Sequence, residues 1–158
     1  MEANDQSKTI LVLTDFTNSA LNAADYALFL ASQLKTNILL YHSYYIPSTE
    51  SECLQITNYG LLAETSKSNL QKEMNRLNIS LKASGSKFNP QIDYLSEGGS
   101  FTDNVCSIID ERKNILMLIM SGFKVHNDDI LFGTEITAVV SKARCPVVIV
   151  PEVEFLRV

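Results

Sequence analysis

Apolar runs of strand length alternate along this chain with longer stretches of helical period, and that alternation constrains the fold more than any other feature. The first run, residues 9–14 (Thr-Ile-Leu-Val-Leu-Thr), is apolar and β-branched at several places. A strand wetted on one side alternates polar and apolar residues. A continuous run belongs instead to a strand covered on both faces, as in a parallel sheet. Residues 37–43, 115–120 and 145–150 repeat the pattern, and a shorter strand is predicted at 91–95, opened by Pro90 and ended by Gly98-Gly99.

Between the runs the period changes to that of a helix. Over 19–35, Leu21, Ala24, Leu28 and Ala31 share a stripe widened by Ala27, Leu30 and Leu34, with Asn18 or Ser19 as the cap. From about 60 to 83, Leu70, Met74, Leu77 and Leu81 form the inner face, Lys67, Lys72, Glu73 and Arg76 lie largely off it, and Gly85 stops the helix. Ser100 or Thr102 caps a third helix, with Phe101, Val105, Ile108 and Ile109 inward. Gly133-Thr134 opens a fourth, with Ile136, Val139, Val140 and Ala143 inward. Pro47 and the polar residues through Glu52 predict a loop, as does 121–132 with Asp128-Asp129. The order β-α-β-α-β-α-β-α-β predicts a three-layer α/β/α domain around a five-stranded parallel sheet. With no internal repeat or linker, it reads as one domain over 1–158 with its core at 8–151.

Composition narrows the function. At 158 residues and 46% hydrophobic content the chain can bury the core of one domain. Lys and Arg total 13 against 18 Asp and Glu, a net charge of -5, which argues against a nucleic-acid binder. No apolar run approaches the roughly 20 residues of a membrane span, and the polar start Met1–Lys8 lacks the apolar segment of a secretory signal. Cys53, Cys106 and Cys145 show no CxxC spacing and read as small hydrophobes. A cytoplasmic location is therefore expected.

In doubly wound sheets a ligand sits beyond the carboxyl ends of the strands, where the strand order reverses. The candidate residues are those just after each strand: Asp15-Phe16-Thr17, Ser43-Tyr44, Ser96 to Ser100, and Ser121 to Thr134. Gly133-Thr134-Glu135 at a helix start offers free N–H groups and a hydroxyl to a phosphate. Each has a structural reading beside the functional one. Asp15 can cap the next helix, Gly133-Thr134 can be an ordinary turn and cap, and His42 reads as core. His126 beside Asp128 and Asp129 lacks the rigid spacing of a metal site. No phosphate loop, dinucleotide fingerprint or nucleophile elbow occurs, so no catalytic residue is assigned and turnover chemistry is not expected.

Three stretches together resemble the universal stress protein family (the UspA domain): residues 9–20, Ile38 to Ser43, and Ile115 through Val150 with its Cys145-Pro-Val. The resemblance implies strand order 3-2-1-4-5, an adenine nucleotide α-hydrolase-like fold and a cleft between strands 1 and 4. Many members bind ATP or AMP there. By that analogy Asp15, Phe16 and Thr17 would meet the ribose and phosphates, and backbone near Ser43 the adenine. Met120, Ser121, Gly122 and Lys124 would border the cleft, Gly133, Thr134 and Glu135 would hold phosphates, and Mg²⁺ would enter only with ATP. Members commonly dimerise through the last strand, here Val147, Val148, Ile149 and Val150.

One departure matters. ATP-binding members carry Gly-x2-Gly-x9-Gly-Ser/Thr after strand 4. Here either Ser121 and Lys124, or Gly122 and Val125, fall at the first two glycines, and the loop is short. Lys124 could offer a cation, whereas Asp128 and Asp129 would repel phosphate unless Mg²⁺ intervened. The expectation is a dimeric cytoplasmic stress-response or regulatory module with a degenerate nucleotide cleft. The alternatives are a nucleotide-processing enzyme of the same fold class and a protein-interaction module that takes no nucleotide. The enzyme would need a Ser-Gly-Gly-x-Asp-Ser loop where 14–19 reads Thr-Asp-Phe-Thr-Asn-Ser. A receiver-type signalling domain fits poorly, since Asp93 reads as within a strand. Residues 52–66, with Tyr59, are a candidate cover for the cleft.

Overall fold

The computed structural model describes residues 7–44, 52–125, 129–131 and 134–151. The strands β1 (Thr9–Leu13), β2 (Asn37–Tyr44), β3 (Ile92–Gly98), β4 (Ile115–Ser121) and β7 (Val147–Val150) form one sheet in the order β3-β2-β1-β4-β7. All its pairings are parallel. Counting only these strands, the order is 3-2-1-4-5, as the resemblance implied. Four helices connect them: α1 (Asn18–Leu34), α2 (Glu52–Ser84), α3 (Phe101–Glu111) and α4 (Thr134–Lys142).

The continuous apolar runs are explained by a core on each side of the sheet. Ile10, Val12, Ile38 and Leu40 point to α1 and α2, where they meet Ala24, Ala27, Ala31, Leu70, Leu77 and Leu81. Leu11, Leu13, Leu39 and Tyr41 point the other way, to Val105, Ile108 and Ile109 of α3 and Val139 of α4. Each fully buried aliphatic side chain contributes about 1.5–3 kcal/mol relative to exposure. The buried face of α1 is mostly alanine, Ala20, Ala23, Ala24, Ala27 and Ala31, which lets the helix approach the sheet closely.

Several boundaries differ from the sequence expectation. The cap of α1 is Thr17, whose hydroxyl accepts from Ala20 N at 3.3 Å, in place of Asn18 or Ser19. Leu34, expected in the stripe, is 48% exposed because the helix ends there, at Lys35 in a left-handed cap. Val140, expected inward on α4, is also exposed, leaving Val139 as the buried residue of that turn. α2 begins at Glu52, about two turns before the predicted start near residue 60. Glu73, expected on its polar face, is buried: Arg76 clamps its carboxylate through Nε at 2.9 Å and Nη2 at 2.6 Å, and reaches Asp25 of α1 at 2.8 Å. Part of the expected 121–132 loop is a hairpin, with β5 (Phe123–Val125) antiparallel to β6 (Asp129–Leu131). The last strand starts at Val147, since Pro146 has no N–H for a ladder, although its carbonyl accepts from Leu118 N at 2.9 Å.

Candidate functional site

The order of connection reverses between β1 and β4, so the carboxyl ends of these two strands flank the crevice of the sheet. The turn after β1 is tightly built. Asp15 Oδ1 accepts from the backbone N–H of Thr17 at 3.1 Å and from its hydroxyl at 2.5 Å. Phe16 N donates to Thr14 Oγ1 at 3.1 Å. Phe16 itself is left-handed, with φ of 65°, a conformation that costs a bulky residue on the order of 1 kcal/mol. The surrounding hydrogen bonds and the packing of its ring against the α1–α2 side of the core hold it there. Asp15 thus does not cap α1, whose cap is Thr17; it braces that cap from two residues upstream and stays exposed at the crevice.

The ends of β2 and β3 bring together polar side chains on both faces. Register pairs His42 with Ser96, Ser43 with Glu97 and Tyr44 with Gly98. On the α2 side, His42 Nδ1 lies 2.7 Å from Ser66 Oγ, and Ser96 Oγ donates to the same oxygen at 2.7 Å. The His42 ring tilts against Phe16 with centroids 4.7 Å apart. Burial pushes the His42 pKa down, opposed by the charge of Asp15. His42 is therefore a satisfied structural histidine, as its apolar strand suggested, but half-buried and linked to the β1 turn. Next to it Tyr44 and Tyr59 meet edge to face at 5.4 Å. Burial and the neighbouring Tyr59 raise the Tyr44 pKa to about 12. Tyr59 and Ser66 tie this part of α2 to the rim of β2 and β3, so their contacts are on that side of the sheet.

On the opposite face Ser43 and Glu97, both among the strand-end candidates, sit with two residues that the sequence did not single out, Tyr41 and Asn104. Ser43 Oγ donates to the Gly99 carbonyl at 3.4 Å, and Asn104 Nδ2 to the Gly98 carbonyl at 3.1 Å. The Tyr41 hydroxyl and Glu97 Oε1 are both buried. Asn104, Ser43 and Glu97 are the hydrogen-bonding neighbours of that hydroxyl; burial, partly offset by Asn104, raises its pKa to about 12. Tyr41 was hidden because it lies in an apolar run. The available signal was Glu97, a carboxylate in a strand one residue before a glycine pair.

The β4 side is organised by backbone. Met120 is buried in the core and aligned with Ile149, and Ser121 ends the strand opposite Val150. Gly122 is buried and spends its N–H on the Val150 carbonyl at 3.0 Å. Lys124 lies at the centre of β5, aligned with Ile130, and Thr134 and Glu135 begin α4. Gly133, His126 and Asp128 lie outside the described residues, as do 45–51 and 152–158, and no side chain of Cys53 is described. Cys106 and Cys145 are free, half-buried thiols whose pKa values burial raises. Among the described residues no group of His, Cys, Asp and Glu is arranged to hold a metal ion, and no helix is long and apolar enough to cross a membrane. Two cavities lie away from the crevice. One, of about 620 Å³, is lined by Leu28, Phe29, Leu81 and Phe88; the other, of about 530 Å³, lies by Thr9, Asn37 and Arg112. Neither collects the strand-end residues, and chain topology rather than cavity size locates the site.

Element order and strand topology define a three-layer α/β/α protein with the adenine nucleotide α-hydrolase-like fold. The universal stress protein family pattern matches residues 6–151, and the chain belongs to that family. No curated protein sequence matches it. Among solved structures, the universal stress protein UspA from Lactobacillus plantarum superposes with a TM-score of 0.74 at 16% identity, covering 93% of this chain and 99% of that one. A universal stress protein in complex with cAMP gives 0.60 at 22% identity over 91% and 97% of the two chains. The universal stress protein from Archaeoglobus fulgidus in complex with dAMP gives 0.56 at 15%, over 90% and 96%. At such identities the likeness establishes the fold.

Proposed function

We propose that this protein is a nucleotide-responsive regulatory module of the stress response, binding ATP or AMP at the carboxyl edge between β1 and β4, without turnover chemistry. The observation that carries the reading is the reversal of strand order there, which puts the braced Asp15–Thr17 turn and the crevice on one edge. The N-terminus of α4, a nine-residue helix, follows β4 on the same side of the connection and is suited to phosphate. The cAMP and dAMP complexes of two fold relatives support the choice of ligand. With ATP, Mg²⁺ would offset the charge of the acidic loop. In this reading the module acts in the cytoplasm as a homodimer joined by β7. That strand pairs with β4 and lies at the end of the sheet, with Val147 to Val150 all half-buried. An apolar edge strand left bare invites association.

Isothermal titration of the purified protein with ATP and AMP, with and without Mg²⁺, tests the reading. Saturable heat that weakens in Asp15→Ala and Gly133→Val supports it, and sustained nucleotide hydrolysis abolished by Asp15→Ala would replace it with an enzyme. A second reading, a protein-interaction module that takes no nucleotide, is favoured by the Gly122 N–H, which is already spent on Val150. Sedimentation should give a dimer; a monomer at every concentration would remove the β7 interface.

A further inference from the structure

We propose that the groove between the carboxyl-terminal halves of α1 and α2 is a second binding site, for a medium-chain carboxylate whose apolar tail lies against Phe29 and whose anionic head sits between Lys35 and Lys87. The site is at the amino edge of the sheet and does not depend on the nucleotide reading. Its course follows from the topology. α1 follows β1 and α2 follows β2, the two strands are parallel, and both helices pack on the same side of the sheet. They therefore run side by side toward the amino edge. Near the middle of each, Arg76 ties them together, through Asp25 at 2.8 Å and the Leu21 carbonyl at 3.3 Å. Beyond that clamp the helices leave a cavity of about 620 Å³, within the range of small-molecule sites. Gly85, with φ of 66°, ends α2 and turns the chain so that Lys87 and Phe88 border the far end of the groove.

The lining sorts into an apolar trough and a cationic end. Leu28 and Leu81, both buried in the core, form the floor, and Phe29, 61% exposed, forms a wall. Covering that ring and floor removes apolar surface from water. The hydroxyls along the trough are already spent. Ser32 Oγ donates to the Leu28 carbonyl at 3.0 Å, Ser84 Oγ to the Leu81 carbonyl at 2.6 Å, and Ser86 Oγ to the Phe88 carbonyl at 2.8 Å. Asp25 is neutralised by Arg76, and Gln33 and Ser80 stand exposed at the lips. Lys35 and Lys87 differ from all of these: among the described residues neither ammonium group is in an ion pair. Two free cations thus stand at one end of an apolar trough, in a chain whose net charge is -5. The complementary molecule is anionic at one end and apolar along the rest. An uncharged polar ligand would leave the lysines unused and the floor uncovered, and a cation would be repelled. From Leu28 to Lys35 the helix rises about 10 Å, which suits a tail of medium length.

Calorimetric titration of the full chain with octanoate tests this, with 1-octanol as the probe that lacks the charge and acetate as the one that lacks the tail. Octanoate should bind saturably at one site, on the order of tenfold more tightly than octanol, the scale of two exposed ion pairs. Acetate should give no saturable heat. Replacing both lysines, Lys35→Gln with Lys87→Gln, should bring octanoate down to the affinity of octanol. Phe29→Ala should weaken octanoate and octanol alike, by about fivefold. All three side chains are exposed, so these variants should keep the urea midpoint of the unaltered protein. Hydrogen exchange with saturating octanoate should slow in segments 28–35 and 80–88, and AMP should not displace it. Equal affinities for octanoate and octanol overturn the proposal, as does an octanoate affinity unchanged in the double lysine variant. Protection at 14–20, or displacement by AMP, puts octanoate in the crevice and overturns it too. No saturable binding at millimolar octanoate also overturns it, and leaves the nucleotide reading as it stands.

Discussion

The two halves of the sheet's carboxyl edge are built in different ways. At the β2–β3 end, side chains form the rim: His42, Ser66 and Ser96 make one chain of hydrogen bonds, Tyr44 meets Tyr59 edge to face, and Ser43 and Asn104 hold the Gly98-Gly99 turn. At the β4–β7 end, backbone bonds and apolar packing do the work, as the Gly122 to Val150 bond and the buried Met120 illustrate. A rim knitted by directional bonds fixes the position of polar atoms and can recognise a ligand. A rim of apolar strand fixes little beyond register, and its edge is suited to joining another strand. In the proposed function, ligand recognition would fall to the first half and association to the second.

The sharpest way to break the β2–β3 half is to crowd it. A Cβ added at Gly98 would lie 2.7 Å from the Tyr44 ring and 3.2 Å from that of Tyr59. Gly98→Val should therefore cost about 3 kcal/mol by overpacking, read as a lower urea midpoint. The alkaline limb of stability comes next. The Tyr41 pKa is raised to about 12 in the fold, so its contribution is complete below the ordinary tyrosine value near 10 and is lost as pH rises from there through about 12. The loss, on the order of 2 kcal/mol, should be visible in denaturation curves from pH 9 upward and absent from Tyr41→Phe.

Ser66→Ala should cost about 1–2 kcal/mol, because His42 Nδ1 and the Ser96 hydroxyl both lose their partner. The same histidine gives an acid limb of opposite sign. Its pKa is lowered in the fold, so its contribution is present above the ordinary value near 6.5 and falls away as pH drops through the folded value. The smallest effect lies outside the rim. Gly60 is inside α2 with nothing within 4 Å of an added Cβ, so Gly60→Ala should raise stability by about 0.5–1 kcal/mol. A loss there, measured by the same denaturation, would mean that α2 needs a break near Tyr59.

Much of this architecture can be read from the residues. Strands buried on both faces announce themselves, as Ile10 to Leu13 and Leu118 to Met120 do, because no polar residue is tolerated at their positions. The stripe of Leu70, Leu77 and Leu81 is legible for the same reason, and Gly85, with φ of 66°, ends α2 as a glycine should. The stripe does not extend to the first two turns of α2, so that start of the helix is visible only once folded. The β5–β6 hairpin is hidden too, since three-residue strands are too short for a period to show. The candidate site divides likewise. The Asp15 turn follows from strand-end logic, whereas the partners of Tyr41 and His42 come from β3, α2 and α3 and become neighbours only through the strand register.

The central claim, that an adenine nucleotide seats on the carboxyl edge and reaches from the β1 turn to the β2–β3 rim, is tested most directly by hydrogen exchange with and without saturating AMP. The account predicts slower exchange in segments 14–20 and 96–104, with no change at the opposite edge around 35–39 and 111–115. Protection confined to that opposite edge, or none anywhere at millimolar AMP, would contradict it.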